Sequence, residues 1–500
     1  MNKSSFLKRG RSIIRGMMAA PALVALCFAG CGEKDSSPTE VIPPFDPSQP
    51  VVISDFTPKE GGVGQRLIIY GQNFGNDTAL VRVFIGGKEA KVVGVKGEYI
   101  YCVVPQKAFG GDIELRIGDR ENPTVVAVET PFAYQRKTVV STLFGYKKDD
   151  DSQGSGVFPN GDKESTFDEV ALFKNASWLR FDPLNPDHLY MSFDDAALTR
   201  IIFSERKWQR IMTKAAGGFT RLRSVDFTLD GQYMILAVDN SNITDRSTMI
   251  TTRTNDFAGN TVLTTYKQCN GASIHPVNGE MYFNSYEKGQ FYRLDLTESK
   301  YFGGTKGPSE YEELFKIQDN NWEFNIRIHP TGNYAYIVVV NQHYILRTDY
   351  NWDTKRFNQP YLVCGEPKDG GYVDGVGASA RLSRPYQGIF VKNPDYGEED
   401  QYDFYFTDYN NHCIRILTPD GVVTTFAGRG STGLNANANG FVEGDLRLEA
   451  RFDGPTGLAY DEASRTFYVG DQGNRRVRKI AMEEIDEEEE EPAEEETPEE

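Results

Sequence analysis

The sequence is poor in the residues that build most catalytic and metal sites. Five histidines are spread over 500 residues, and none stands in an HExxH pattern. The six cysteines include no CxxC pair, so the spacing typical of a zinc site is missing. A GxSxG nucleophile turn and a phosphate-cradling glycine loop are also absent from the sequence. We therefore predict no catalytic residues, no metal site and no cofactor.

The sequence also lacks long helical stretches and an excess of basic residues. Short alternating runs that end at Asp, Asn, Gly or Pro, together with 31 phenylalanines and 26 tyrosines, favour an all-β chain. The formal net charge is −18, and thirteen of the acidic residues lie in Glu483–Glu500. This leaves about −5 for the rest of the chain, which is unsuited to following a phosphate backbone. We exclude nucleic acid as a partner and expect 481–500 to be a disordered acidic tail.

The first thirty residues have the pattern of a bacterial signal peptide. Basic residues precede an apolar stretch, Met17–Gly30, that is too short to span a bilayer. The ending Phe28-Ala29-Gly30-Cys31 resembles a lipobox, which implies a lipid on Cys31. The acidic residues that follow resemble the surface-export signal of Bacteroidetes lipoproteins, whose address is the outer face of the outer membrane. The alternative is an ordinary signal peptide; in either case we expect 1–30 to be removed and 31–50 to be a flexible tether.

The next segment, 51–135, has the alternation of an antiparallel sandwich. Its period-two runs are Arg66–Tyr70, Val81–Ile85, Ile100–Val104 and Ile113–Ile117, each ended by a turn. The glycine and proline positions, among them Pro58, Gly61, Gly64, Gly71 and Pro105, resemble those of an IPT/TIG domain. The resemblance implies an immunoglobulin-like fold that serves as a spacer or an adhesion module.

The rest of the chain contains six copies of one sequence repeat. Each copy has an apolar strand, a turn with Asp or Pro, a tyrosine-rich strand, a polar loop and a third strand. A spacing of about 45–70 residues leaves room for four strands, which is the blade of a β-propeller. The copies span residues 178–203, 225–240, 272–296, 326–349, 388–417 and 457–480. We therefore predict a six-bladed propeller over 136–480.

The last two copies align most closely. YFTDYNNHCIRIL (405–417) matches YVGDQGNRRVRKI (468–480) without a gap, so that Asp408 corresponds to Asp471, Asn411 to Asn474 and Arg415 to Arg478. These residues carry a resemblance to NHL repeats. In such repeats the Asp and Asn most often bond loop backbone and neighbouring blades, so we expect them to be structural here.

A heptapeptide that occurs twice predicts how the ring closes. VVTTFAG (422–428) is the fourth strand of the fifth copy, whereas the sixth copy runs into glutamates and lacks a fourth strand. The related VVSTLFG (139–145) directly follows the immunoglobulin-like domain. We predict that it pairs antiparallel with Arg476–Ile480, so that an N-terminal strand closes the propeller and leaves no open edge.

Long loops on one face of the propeller indicate where a ligand binds. The blade-to-blade loops are long, whereas those of the opposite face are mostly tight turns. Aromatic rings suit sugars, because C–H groups stack on the ring while polar neighbours bond the hydroxyls. The candidate ligand-binding residues on this face are Tyr286, Trp322, His343, Tyr409, Arg223, Arg327 and Arg475. The alternative for each repeated position is packing between blades.

Over 17–480 the chain resembles Bacteroidetes surface lipoproteins with an IPT/TIG domain and an NHL propeller, of the kind associated with polysaccharide utilisation. The resemblance implies a lipid-anchored, non-enzymatic protein that captures a polysaccharide or oligosaccharide, with an outer-membrane importer complex as a possible partner. Two alternatives stay open: a propeller lyase or hydrolase acting on glycans, and a protein–protein scaffold or adhesion protein. A disulfide between Cys364 and Cys413 is a minor alternative to two buried thiols.

Overall fold

A computed structural model describes residues 42–145, 164–168, 176–193, 197–239, 245–266, 268–285, 288–296, 304–317, 323–397, 400–430 and 438–485. The signal peptide, Cys31 and most of the tether lie outside the described residues, as do Tyr286, Trp322 and the tail beyond residue 485. Among the described residues, no helix is long and apolar enough to cross a membrane.

The first part of the described chain is an immunoglobulin-like sandwich, as the sequence predicts. Its two sheets share the long strand Lys88–Lys96, whose first residues pair with Val81–Ile85 and whose later residues pair with Tyr99–Val103. A bulge between Val92 and Gly94 bends this strand, so it can serve both sheets. Alternate residues such as Leu67, Ile69, Val83 and Leu115 face inward and form one core. The strands are Val52–Thr57, Glu60–Gly61, Arg66–Gln72, Val81–Ile85, Lys88–Lys96, Tyr99–Val103, Ile113–Ile117, Thr124–Ala127 and Ala133–Tyr134.

The second part is a six-bladed β-propeller in which each blade is an antiparallel sheet of at least four strands. The innermost strands of neighbouring blades contact one another around the whole ring, including blades 6 and 1. The strands of blade 1 are Ala176–Phe181, His188–Phe193, Ala197–Ile202, Lys207–Thr213 and Glu164–Thr166; those of blade 2 are Arg221–Phe227, Tyr233–Asp239, Thr248–Thr252 and Asn260–Thr264; those of blade 3 are Ala272–Ile274, Met281–Asn284, Gln290–Leu294 and Glu312–Lys316.

The remaining blades follow the same order along the chain. The strands of blade 4 are Phe324–Ile328, Tyr334–Val339, Tyr344–Asn351, Arg356–Phe357 and Tyr361–Gly365; those of blade 5 are Gly375–Val376, Pro385–Lys392, Tyr402–Asp408, Cys413–Leu417 and Val422–Gly428; those of blade 6 are Gly444–Asp445, Pro455–Asp461, Thr466–Asp471, Arg476–Met482 and Thr138–Phe144. The described helices are short: Lys214–Gly217 is α-helical, and Thr78–Leu80, Arg253–Asn255, Val340–Gln342, Gly377–Ser379 and Tyr409–Asn411 are 3₁₀ turns.

The predicted closing strand is confirmed. Thr138–Phe144 pairs antiparallel with Arg476–Met482, with Val140 opposite Ile480 and Ser141 opposite Lys479. Val140 is fully buried in the core between blades 5 and 6, and Phe144 stacks on Phe167 at the side of blade 1. The strand therefore supplies hydrogen bonds to blade 6 and apolar contacts to both of its neighbours.

Chain direction defines two faces of the propeller. In every blade the innermost strand begins at the face where the second strand ends, and we call this the upper face; the turn after the innermost strand defines the lower face. The blade-to-blade connections 366–384 and 429–454 lie on the upper face. Tight turns such as Asp230-Gly231 and Thr331-Gly332 lie on the lower face, with both glycines in the left-handed region.

The C-terminal part of the chain is ordered further than the sequence predicts. The last strand extends through Ala481 and Met482, and Glu483 is 3% exposed rather than part of a solvated tail. Its carboxylate accepts hydrogen bonds from the backbone N–H groups of Lys107 and Lys137, and from the Tyr134 hydroxyl at 2.5 Å. Buried donors around one carboxylate explain why this glutamate, unlike those after it, leaves water.

Candidate binding site

A buried ion-pair network lies at the upper mouth of the axial channel. Arg223 is the third residue of the innermost strand of blade 2, Arg221–Phe227, and Glu323 directly precedes that of blade 4. Their side chains meet at 3.2 Å, so the pair passes over the short innermost strand of blade 3. Arg223 also contacts Asp239 at 3.1 Å, and Asn341 Nδ2 donates to Glu323 Oε2 at 2.8 Å. Charges that are taken out of water need such partners, and here they come from two blades.

Arg384 and Tyr409 extend this network toward blade 5. The Arg384 guanidinium lies 3.9 Å from Glu323 Oε2 and 5.2 Å from the centre of the Tyr409 ring, a cation–π arrangement. Tyr409 is half-buried, and its ring packs against Gly454, where a Cβ would approach it to 2.7 Å. Among the described residues, Arg384 Nε is buried without a hydrogen-bond partner. We call Arg223, Asp239, Glu323, Asn341, Arg384 and Tyr409 the upper-mouth cluster.

His343 supports this cluster through the backbone. Its Nδ1 accepts a hydrogen bond from the backbone N–H of Arg384 at 3.0 Å. His412 holds the corresponding position in blade 5 and accepts from Gly454 N at 3.0 Å. Both histidines have left-handed backbone conformations, with φ of 69° and 55°. Burial and the charge of Arg384 lower the pKa of His343, so its ring stays neutral at pH 7 and accepts this bond.

The predicted set is therefore only partly brought together. Arg223, Tyr409 and His343 meet through Glu323 and Arg384, two residues that the sequence analysis missed. The signal available for both was a charged residue directly before an innermost strand, at the level of the upper mouth. Arg475 lies on the upper face of blade 6 at φ 57°, and no hydrogen bond or ion pair among the described residues links it to the cluster.

The placement of Arg327 on the loop face was wrong. Arg327 is the penultimate residue of Phe324–Ile328 and pairs with Tyr336, which places it near the lower mouth of the channel. Each residue of a strand advances about 3.3 Å, so three residues move a side chain about 10 Å from the upper end.

The repeated Asp, Asn and Arg of the last two blades are structural, as expected. Asp471 Oδ2 accepts hydrogen bonds from Asn474 at 2.7 Å and from Arg478 at 3.0 Å, and Asp471 Oδ1 accepts from Asp453 N. Asp408, Asn411 and Arg415 repeat this arrangement in blade 5. Arg415 and Arg478 also donate to backbone carbonyl groups of the preceding loop. Burial raises the pKa of each aspartate, and the charge of its arginine partner acts in the opposite direction. The resulting pKa of about 6 leaves both aspartates ionised at pH 7.

The described residues hold no group of three or more His, Cys, Asp or Glu side chains arranged for a metal ion. Cys364 and Cys413 are both buried free thiols, so the structure contains no bridge between them. Burial raises the pKa of each thiol far above its usual value, which leaves them unreactive.

Comparisons with known proteins agree with this architecture. The IPT/TIG domain family matches residues 50–132. An auxiliary nutrient binding protein from Bacteroides thetaiotaomicron is 47% identical and superposes with a TM-score of 0.74 over 88% of this chain and 100% of that one. Another protein from the same organism, provisionally named a phosphatase, is 44% identical with a TM-score of 0.73, over 89% and 99%. The chain belongs to the family of these Bacteroides proteins.

The family membership covers both the sandwich and the propeller, because the alignments span nearly all of each relative. The NHL resemblance has separate support from a human protein named NHL repeat-containing protein 2, which is 31% identical over 114 residues. That match covers 23% of this chain and 14% of the human protein.

Proposed function

We propose that this member of the family is a non-enzymatic, cell-surface binding protein that captures a polysaccharide or oligosaccharide on the upper face of its propeller. The name of the 47% identical relative supports nutrient binding. The choice of a sugar rests on the chemistry of the upper-mouth cluster.

The observation that carries the proposal is the grouping of a half-buried aromatic ring with buried charged groups at one mouth. Tyr409 offers a ring face for the C–H groups of a sugar. The Arg384 side chain beside it is 38% exposed, so its terminal N–H groups can donate to a ligand, and Glu323 offers carboxylate oxygens 3.9 Å away. Sugar hydroxyls donate and accept hydrogen bonds at once, so a neighbouring cation and anion can bind one vicinal pair.

The proposed location follows from the N-terminal segment. A lipid on Cys31 and a polar, proline-rich tether would hold the sandwich and the propeller outside the outer membrane. Glycan captured there would pass to an importer complex in the same membrane. The sandwich would serve as a spacer between the anchor and the binding face.

Affinity electrophoresis of residues 32–500 in gels containing α-glucan, β-glucan, mannan or pectin tests this function. We expect one polysaccharide to retard the protein, and Arg384→Ala and Tyr409→Ala to weaken binding of its oligosaccharide at least tenfold in calorimetry. Arg384→Ala keeps the backbone bond to His343, so the loop should stay in place. Tyr361→Ala, which removes an exposed ring from the outermost strand of blade 4, is the matched control and should bind normally.

Two results would contradict the proposal in different ways. If no polysaccharide retards the protein while it hydrolyses a phosphomonoester such as p-nitrophenyl phosphate, the enzyme alternative gains, in line with the name of the 44% identical relative. If a polysaccharide binds but both cluster variants bind it as tightly as the unaltered protein, the function stands and the upper-mouth site is wrong.

A further inference from the structure

Four polar residues occupy matching positions near the lower mouth of the channel. Arg180, Asp226, Ser273 and Arg327 are each the penultimate residue of the innermost strand in blades 1 to 4. Each pairs with the corresponding residue of the second strand, which fixes all four at one level. The upper-mouth cluster lies at the other end of the same strands, so the two groups are separate.

The only carboxylate of this layer has its hydrogen-bonding capacity filled. Asp226 is buried, and its Oδ1 accepts from Arg180 Nε at 2.9 Å and from the Phe227 N–H at 3.0 Å. Its Oδ2 accepts from the Ser273 hydroxyl at 3.2 Å and from the Ile274 N–H at 3.0 Å. No lone pair in a favourable direction is left for a second guanidinium.

Arg327 is therefore a cation without its own acceptor. Among the described residues it makes no hydrogen bond or ion pair, and the charges that act on it are those of Arg180 and Asp226. Burial and the neighbouring positive charge of Arg180 lower the pKa of Arg327 to about 10, so it remains protonated at neutral pH. Two guanidinium groups face one carboxylate, which leaves one excess positive charge inside the channel.

Arg327 is only partly buried and no nitrogen of it is among the described buried polar atoms without a partner, so its guanidinium donors remain open to a ligand in the channel. We propose that the lower mouth is a binding site for one oxyanionic group, a carboxylate or a sulfate, which Arg327 binds in a bidentate manner beside Arg180. The net charge of the layer matches a single negative charge, and the planar guanidinium matches two oxygens of one such group.

The rim of this mouth indicates that the anion is carried by a larger molecule. The lower turns of blades 1, 2 and 3 place Leu184, Leu229 and Val277 in solvent, each about half exposed. An acidic sugar or another organic acid would cover these apolar groups while its charge reaches the arginines. A free inorganic anion would contact the arginines alone. Contact with the three apolar side chains therefore distinguishes an organic acid from a free anion.

Calorimetric titration of the full-length protein at constant ionic strength, with glucuronate, acetate, sulfate and neutral glucose, tests the site. We expect saturable one-to-one binding of at least one anion and none of glucose. Tighter binding of glucuronate than of acetate or sulfate assigns the site to an organic acid, and equal binding assigns it to a free anion. If no anion binds saturably, the proposal fails.

Variants distinguish this site from a structural role of the arginine. Arg327→Gln should weaken anion binding at least tenfold. Arg327→Lys keeps the positive charge but cannot donate two parallel hydrogen bonds, so it should bind the anion with intermediate affinity. Arg206→Gln removes an exposed arginine from a lower-face turn and should bind like the unaltered protein. Because Arg327 has no partner to lose in the described part of the chain, Arg327→Gln should melt no lower than the unaltered protein in anion-free buffer; a large fall in Tm would overturn the proposal. Arg384→Ala should leave anion binding at the lower mouth unchanged, so failure of this proposal can be distinguished from failure of the proposed function of the upper face.

Discussion

At the scale of residues, the structure separates buried charges that hold the propeller together from those available to a ligand. Asp471 and Arg478 are both fully buried and use their polar groups on Asn474 and on the loop backbone. Such a pair contributes modestly to stability while intact, but removing one partner leaves an unpaired charge in the interior. The Asp, Asn and Arg that recur in the last two blades therefore hold the loops of those blades in place.

Asp471→Asn should lower the free energy of unfolding by about 3–5 kcal/mol, because it leaves the buried Arg478 guanidinium without a negatively charged partner. Urea unfolding followed by tryptophan fluorescence measures this change. Asp374→Asn is the control: Asp374 also contacts an arginine of this kind, Arg415, but is half exposed, so its loss should cost less than about 1 kcal/mol. Equal effects of the two substitutions would refute the distinction.

At the scale of elements, closure of the ring depends on one strand taken from the other end of the chain. Thr138–Phe144 hydrogen-bonds to the last strand on one side and to Gly444–Asp445 on the other. Without it, the edge of blade 6 would be open and the apolar residues that flank Val140, including Ile480 and Phe452, would face water.

Val140→Asp should destabilise the propeller by more than about 3 kcal/mol, since it places an unpaired carboxylate in the core between blades 5 and 6. Ser141→Asp, one residue along the strand and opposite Lys479, should change stability by less than about 0.5 kcal/mol. Thermal unfolding by circular dichroism checks both. Deletion of 136–146 should lower the Tm sharply as well; an unchanged Tm would mean that this strand does not close the ring.

At the scale of the whole molecule, Glu483 connects the end of the propeller to the sandwich. Its carboxylate binds Tyr134 and the backbone of Lys107 and Lys137, its carbonyl accepts from Arg136, and its N–H donates to Lys137 O. Burial and the negative charge of Glu483 raise the pKa of Tyr134, which keeps this hydroxyl a donor. One residue thus joins both domains and the segment between them.

Glu483→Ala should loosen the sandwich from the propeller, because three donors lose their acceptor. We expect faster tryptic cleavage at Arg136 and Lys137 and a larger radius of gyration in small-angle scattering. Glu484→Ala removes only an exposed contact to Lys479 and should behave like the unaltered protein. If Glu483→Ala cleaves and scatters as the unaltered protein does, the carboxylate does not couple the domains.

The sequence predicted the features that repeat. Comparing one copy of the sequence repeat with another is enough to predict the number of blades, the Asp408 and Asp471 arrangements and the closing strand. Period and spacing are local properties, so a linear chain displays them directly. The extent of the last strand was underestimated, because Glu483 reads as part of an acidic run and is recognisable as buried only once its donors are in place.

The candidate site was less predictable. Arg223 and Tyr409 were found from their loops, but Glu323 and Arg384, which connect them, belong to other blades and carry no motif. Arg327 was assigned to the wrong end of the channel, because the sequence does not state how far a side chain lies along a strand from a given mouth.

The sequence by itself determined an all-β chain, its immunoglobulin-like sandwich, the six blades and the strand that closes them. Alternation and repetition can be recognised along the linear chain without knowledge of its tertiary contacts. Only the tertiary structure decided which charges meet. The innermost strands of separate blades converge on one axis, so residues 100 positions apart, such as Arg223 and Glu323, come within 3.2 Å. At the opposite mouth, Arg327 has no acceptor among the residues that the structure describes, since Asp226 is already occupied by Arg180 and by the backbone.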